Sequence, residues 1–259
     1  MQNIKVALVQ VDLAWEDKEA NLSKFEHIID EQIAEGVDLI VLPEMFTTAF
    51  SMKPKGLAET MDGNAVNWLK TQAIKTNAVV VGSLIIEEEG KFYNRLFWMR
   101  PDQTFETYDK RHLFTMAGEH NHYTAGTKKL IVEYKGWRFC PQICFDLRFP
   151  AWNRNNEDYD CFLLVANWPE IRIHHWTPLL IGRAIENQAY VIAVNRIGED
   201  GSGKKHNGMS LAVNPNGEML CSSENKEEVL ILDLGYEEVK KLRDKMPFLK
   251  DRDNFSINF

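Results

Sequence analysis

The chain has 259 residues, 44 % of them hydrophobic and 26 % charged, and its 30 basic residues against 38 acidic ones leave a net charge of -8. This is a globular composition, with enough apolar residues for one large core or two modest ones. The negative surplus repels phosphate backbones and no basic run offsets it, so nucleic acid is excluded as an expected partner.

No apolar stretch approaches the roughly 18 residues of a membrane span, so no membrane partner is expected. The chain enters the apolar run Val6 to Val11 without a charged leader or a small-residue cleavage site, so no export signal is expected. Four cysteines, at positions 140, 144, 161 and 221, are too few for a disulfide scaffold of this length. Reduced thiols and a cytoplasmic location follow as expectations.

Ile4 to Gln10 reads as a buried strand. Leu22, Phe25, Ile29 and Ile33 recur at helical spacing, with Gly36 placed to end that helix. Val37 to Leu42 is a second apolar strand, stopping at Pro43-Glu44. Asn64 to Asn77 has a helical pattern, with Val66, Trp68, Leu69 and Ala73 on one side, and Ala78 to Ile86 is again a strand. Phe92 to Met99 and Thr104 to Tyr108 pair through the turn dipeptide Pro101-Asp102. Leu130 to Glu133 and Trp137 to Ile143 form another hairpin, turning at 134–136. Tyr159 to Ala166 is a strongly apolar strand. A helix over Trp176 to Gln188 tolerates Pro178 only in its first turn. Strands at Val191 to Val194, Met209 to Val213, Met219 to Cys221 and Val229 to Leu232 follow, with a turn at Asn214-Pro-Asn-Gly217. From Pro247 the chain reads as an exposed tail. Without repeats or linkers, residues 1–259 form one expected domain of mixed α/β type, with sheets buried by helices; periodicity does not give the strand order.

Three segments put a reactive side chain where an apolar strand gives way to a turn: Leu42-Pro-Glu-Met-Phe46, Tyr108-Asp-Lys-Arg-His-Leu-Phe114 and Ile143-Cys-Phe-Asp-Leu-Arg-Phe-Pro150. Strand ends are rigid and open, which suits catalytic groups. Cys144 offers a partly exposed thiol for attack; the alternative is a buried core thiol. Glu44 is the candidate base, since a carboxylate in an apolar pocket resists ionisation; the alternative is a loop carboxylate facing solvent. Lys110 offers a fixed charge and a donor for an oxyanion, or is a surface lysine. Cys140 and Cys144 do not have the two-residue separation of a redox or zinc pair, and Cys161 and Cys221 read as structural.

At these residues the chain resembles the nitrilase superfamily of carbon–nitrogen hydrolases, most closely its bacterial ω-amidases. The three motifs occur in the family's order, and agreement extends from Met1 to about Asp253, including Gly118-Glu-His-Asn-His-Tyr-Thr-Ala-Gly126, Arg183-Ala-Ile-Glu-Asn187 and Asn195-Arg196. The resemblance implies an αββα sandwich of two face-to-face sheets with helices outside. It implies that Cys144 attacks, that Glu44 takes and returns protons, and that Lys110 and the Phe145 backbone N–H support the oxyanion. A second glutamate maps onto Glu119, orienting water or the amide. No metal or organic cofactor is implied. The implied substrate is a small dicarboxylic acid monoamide such as 2-oxoglutaramate. Nitrile hydrolysis, N-carbamoyl amide hydrolysis and a catalytically silent interaction protein of the same fold remain the alternatives.

A homodimer is also implied, packed through Phe149, Pro150, Trp152 and the helix around Leu180 to Ala184. The substrate carboxylate needs a cationic partner. Arg172 is the first choice, while Arg148 reads as structural, paired with Asp146 or Glu186. Trp168 lines the pocket or belongs to the core. His120 and His122 read as polar packing near the pocket. His174 and His175, expected to diverge on a helix, make no metal site. Gly201-Ser-Gly203 reads as a flexible turn.

Overall fold

The computed structural model describes residues 2–33 and 35–257. The ends of the expected 1–259 domain, Met1 and residues 258–259, lie outside them. In chain order the strands are β1 (Ile4–Gln10), β2 (Leu39–Val41), β3 (Val79–Glu88), β4 (Lys91–Met99), β5 (Phe105–Asp109), β6 (Val132–Tyr134), β7 (Trp137–Ile143), β8 (Cys161–Val165), β9 (Tyr190–Val194), β10 (Ile197–Glu199), β11 (Lys205–Val213), β12 (Met219–Glu224) and β13 (Glu228–Leu234). The helices are α1 (Lys18–Gln32), α2 (Asn64–Thr76), α3 (Pro150–Asn153), α4 (Ile173–Asn187) and α5 (Tyr236–Lys245).

One sheet runs β13-β1-β2-β3-β4-β5 and the other β10-β11-β9-β8-β7-β6, with β12 beside β11. The centre of each is parallel, β1-β2-β3 in one and β7-β8-β9 in the other. Parallel strands covered on both faces read as unbroken apolar runs, which is why β1, β2 and β8 show no alternation in sequence. The two residue sets of each strand enter different cores. Val6, Leu8, Val41 and Val81 face Phe139, Leu163, Val165 and Ile192 across the sheets. Ala7, Val9, Ile40 and Val80 pack outward on Phe25, Ile29, Val66 and Leu69 of α1 and α2. Phe162, Leu164, Val191 and Leu211 pack outward on Trp176, Leu180 and Ala184 of α4. This is the αββα sandwich that the resemblance implies.

Several boundaries differ from expectation. Helix α1 ends at Gln32, with the Ile33 N–H closing on Ile29, and Gly36 (φ +84°) serves the turn into β2. Helix α4 starts three residues early, so Pro178 lies in its second turn; its ring is exposed, and the His174 carbonyl it leaves unpaired belongs to an exposed residue. Strand β10 and helix α5 carry no sequence signal strong enough to show, since β10 has three residues and α5 buries only Val239. The tail after Pro247 is mostly exposed but pinned: Arg252 pairs with Asp158 at 2.5 Å and donates to the Asn155 carbonyl at 3.0 Å, and Ile257 packs on the inter-sheet core.

Candidate active site

Four of the expected residues converge at the strand ends between the sheets. Glu44 follows β2, Lys110 follows β5, Cys144 follows β7, and Glu119 opens a 3-10 turn over Glu119–Asn121. Glu44 and Glu119 are fully buried and Lys110 is 1 % exposed.

The Lys110 ammonium donates to Glu44 Oε1 at 2.8 Å and to both Glu119 oxygens at 3.0 Å. Burial alone would lower the Lys110 pKa, but the Glu119 and Glu44 carboxylates outweigh it and hold the ammonium charged. Burial raises the Glu119 pKa, with Lys110 opposing. Glu44 is fixed further by Asn94 Nδ2 on Oε1 at 2.8 Å and by the Asn167 backbone N–H on Oε2 at 2.8 Å. Asn167 also donates its side-chain amide to the Glu44 carbonyl at 2.5 Å. The left-handed backbone at Met45 (φ +44°) turns the chain here, with its N–H on Ser83 Oγ at 2.8 Å. Gly126 closes on the lysine segment from outside; a Cβ there would lie 2.2 Å from the Asp109 carbonyl oxygen.

Cys144 leaves strand β7 and adopts φ +44°, so it does not share the strand face of Cys140. A non-glycine residue in that region stores about 1–3 kcal/mol of strain. Cys144 is partly open to the cavity, next to the Glu44 carboxylate and the Lys110 ammonium, whose charges both act on its thiol. Burial and the Glu44 carboxylate push the thiol well above its ordinary value, against the pull of Lys110. The resting group is therefore a thiol.

The cavity in front of Cys144 has a volume of about 260 Å³, small beside the roughly 300–1,000 Å³ of drug-sized sites. Phe145, Trp168 and Arg172 line it, and Trp168 is also almost wholly buried in the core. Arg148 lines it too, which corrects its reading as a structural ion-pair partner. Glu186 is taken by Arg183 at 2.8 Å, and Asp146 bonds to other groups. The Arg148 guanidinium lies 4.6 Å from the Trp168 ring and that of Arg172 lies 5.0 Å from the Phe114 ring. Among the described residues no carboxylate pairs with either. Burial and the neighbouring Arg172 charge lower the Arg148 pKa. Two guanidiniums face the cavity without a carboxylate partner, while the carboxylates that also line it, Glu16 and Asp200, bond to Lys53 and to the 202–204 turn.

The 201–203 turn forms the opposite wall and is not loose. Asp200 Oδ1 accepts from Ser202 N, Ser202 Oγ and Lys204 N, and Gly201 lies so close to Trp15 that a Cβ would approach its ring to 2.3 Å. His120 and His122 are exposed on the turn that carries Glu119. His174 and His175 do not diverge: their rings lie 4.0 Å apart, and His175 Nδ1 is 3.1 Å from Arg148.

Residues 5–244 match the family model described as carbon–nitrogen hydrolase. The chain belongs to the carbon–nitrogen hydrolase family. Within it, the chain is 43 % identical to the omega-amidase YafV of Escherichia coli (strain K12), over 99 % of this chain and 100 % of that one. It is 30 % identical to the 2-oxoglutaramate amidase of Bacillus subtilis (strain 168), over 95 % and 96 %. Among solved structures, XC1258 of Xanthomonas campestris, described as a CN-hydrolase superfamily protein with an arsenic adduct in its active site, superposes with a TM-score of 0.97 at 38 % identity over the whole of both chains. Family membership makes the chain a hydrolase of carbon–nitrogen bonds and accounts for a cysteine among the buried charges. Asn94, Asn167, Asp146 and Arg148 are the site residues that spacing did not disclose, although Arg148 and Asp146 lie within the cysteine motif.

Proposed function

We propose that the protein is an ω-amidase that hydrolyses the distal amide of a short dicarboxylic acid monoamide, of the 2-oxoglutaramate type, to carboxylate and ammonia. The observation that carries the reading is the pair of guanidiniums without a carboxylate partner, Arg148 and Arg172, in the small cavity that Cys144 and Lys110 also line, with Glu44 and Glu119 buried on Lys110. A carboxylate entering a low-dielectric cavity needs charge-assisted donors to offset its lost hydration, and these two side chains are available to supply them. The names of the Escherichia coli and Bacillus subtilis relatives point the same way.

In the proposed reaction Cys144 Sγ attacks the amide carbon while Glu44 takes the thiol proton. The carbonyl oxygen becomes an oxyanion held by the Lys110 ammonium and the Phe145 N–H. The C–N bond then breaks, Glu44 returns the proton to nitrogen, and ammonia leaves. A water loses its proton to Glu44 and attacks the thioester. Collapse of the second tetrahedral intermediate expels the sulfur, which regains that proton as the carboxylic acid product forms and ionises. Glu119 fixes the Lys110 ammonium and orients the amide.

Succinamate tests carboxylate recognition against the neutral amide butyramide. A charge-assisted hydrogen bond contributes about 1.5–3 kcal/mol, so kcat/KM for succinamate is expected to exceed that for butyramide on the order of 10²-fold. Arg172→Met and Arg148→Met are each expected to raise KM for succinamate tenfold or more and to leave butyramide unchanged. Equal kcat/KM for the two amides removes carboxylate recognition; unchanged KM in one variant removes only that residue.

A homodimer in the cytoplasm, free of nucleic acid, completes the proposal. Trp152, Leu180 and Ala184 of the expected interface belong to the core, so the contact would use the outer surface of the same elements, where Pro150 and Ala151 are exposed and Ile185 is 54 % exposed. Light scattering at micromolar concentration is expected to give twice the 30.0 kDa chain mass; a value of one chain mass removes the dimer.

A further inference from the structure

Lys110 and Cys144 come from different sheets, β5 and β7, and their separation depends on how the sandwich closes. One buried side chain spans that gap. Asp146 lies two residues after Cys144, is fully buried, and its carboxylate makes four polar contacts, accepting at least three hydrogen bonds. Its Oδ2 takes the Tyr108 hydroxyl at 2.7 Å and the Ile143 N–H at 3.1 Å. Its Oδ1 takes the His112 N–H at 2.9 Å and lies 2.8 Å from His112 Nδ1. Tyr108 and His112 flank Lys110 by two residues on either side, and Ile143 immediately precedes the strained Cys144.

We propose that Asp146 is a positioning residue for hydrolysis: its carboxylate ties the lysine segment of one sheet to the nucleophile turn of the other and so sets the place of Lys110 relative to Cys144. The inference rests on the proposed roles of those two residues. The surroundings make the tie stiff. The His112 ring stacks on Phe149 with centroids 3.7 Å apart and planes 6° apart. Trp152 Nε1 donates to the Tyr108 hydroxyl at 3.1 Å, and the Arg111 N–H donates to it at 3.2 Å. Burial and the adjacent Asp146 carboxylate push the Tyr108 phenol well above its ordinary value, so its hydroxyl stays a donor. Asp146 does not line the cavity, so it acts on the chemistry through Lys110 and Cys144, not through substrate.

Asp146→Asn keeps shape and one acceptor oxygen but turns an NH₂ toward a group that donates. A misplacement of about 1 Å in a catalytic constellation costs on the order of 10²-fold. Asp146→Asn is therefore expected to lower kcat about 10²-fold with KM within threefold. Tyr108→Phe, which loosens only the lysine side, is expected to lower kcat about tenfold, and the double variant to be no worse than Asp146→Asn alone. Iodoacetamide alkylation followed by peptide mapping reports each thiol separately, so kcat is taken per Cys144 in protein whose buried Cys140 and Cys161 stay unmodified. Global destabilisation exposes those two thiols to alkylation, whereas loss of the tie slows Cys144 alkylation and turnover with both still protected. If Asp146→Asn does not fold, Tyr108→Phe alone decides through the same kcat and KM readout. A kcat per site within twofold of the parent in the variant that folds, or effects that multiply in the double variant, overturns the proposal. Cys144→Ala run beside them separates the two ideas: activity retained there ends the catalytic reading itself, whereas an inactive Cys144→Ala beside a parent-like Asp146→Asn ends only the tie.

Discussion

Cys144→Ala is expected to reduce ammonia release below detection, while Cys140→Ala keeps most of it. The two thiols are four residues apart in sequence but differ in every physical respect that matters. Cys140 is enclosed under α4, where burial pushes its thiol up to about 12, and it does not line the cavity. Its loss removes one small buried group, a cost of about 1 kcal/mol. Cys144 opens to the cavity, with the Glu44 carboxylate and the Lys110 ammonium acting on its thiol. Without that sulfur no acyl-enzyme forms, and the remaining charges have nothing to act on. Ammonia release from succinamate, with circular dichroism to confirm the fold, decides the matter. A Cys144→Ala protein working at the parent rate would sink the assignment.

Much of the scaffold was legible because its strands are covered on both faces. Ile4–Gln10 and Cys161–Val165 are apolar runs bounded by turns, and burial on both sides leaves no alternation to misread. Helix α5 was not legible, because Tyr236–Lys245 buries only Val239 fully, packs Tyr236 on Trp137 at its first residue, and is mostly charged elsewhere. Glu44, Lys110 and Cys144 stood out at the ends of such runs. Their supports did not. Asn94, Asn167 and Asp146 act through hydrogen bonds over sequence separations of 50, 123 and 38 residues, the first within one sheet and the other two from one sheet to the other. Spacing along the chain carries no record of such contacts. Arg148 was misread for a related reason: Asp146 and Glu186 are plausible partners by sequence, but Glu186 is held by Arg183 three residues away on α4. That leaves Arg148 facing the cavity.

Glu44→Gln and Lys110→Met are expected to lower kcat strongly and to move the Cys144 thiol in opposite directions. Loss of a general base costs about 10²- to 10⁴-fold, and Gln keeps the shape of Glu44 without its proton affinity. The loss should appear in kcat more than in KM, since Glu44 acts mainly in the transition state. The Glu44 charge raises the thiol pKa and the Lys110 charge lowers it. Glu44→Gln should therefore shift the midpoint of the pH dependence of iodoacetamide alkylation downward: Cys144 stays alkylatable while turnover collapses. Lys110→Met should shift that midpoint upward and lower kcat through loss of the oxyanion donor. It also leaves Glu44 and Glu119 buried without their cation. Breaking a buried ion pair from one side costs about 3–5 kcal/mol, which corresponds to a Tm drop on the order of 10 °C for a chain of this size. Alkylation profiles followed by mass spectrometry, steady-state kinetics and thermal melts measure all three effects. A change in KM alone, or midpoints that do not move apart, would require both roles to be withdrawn.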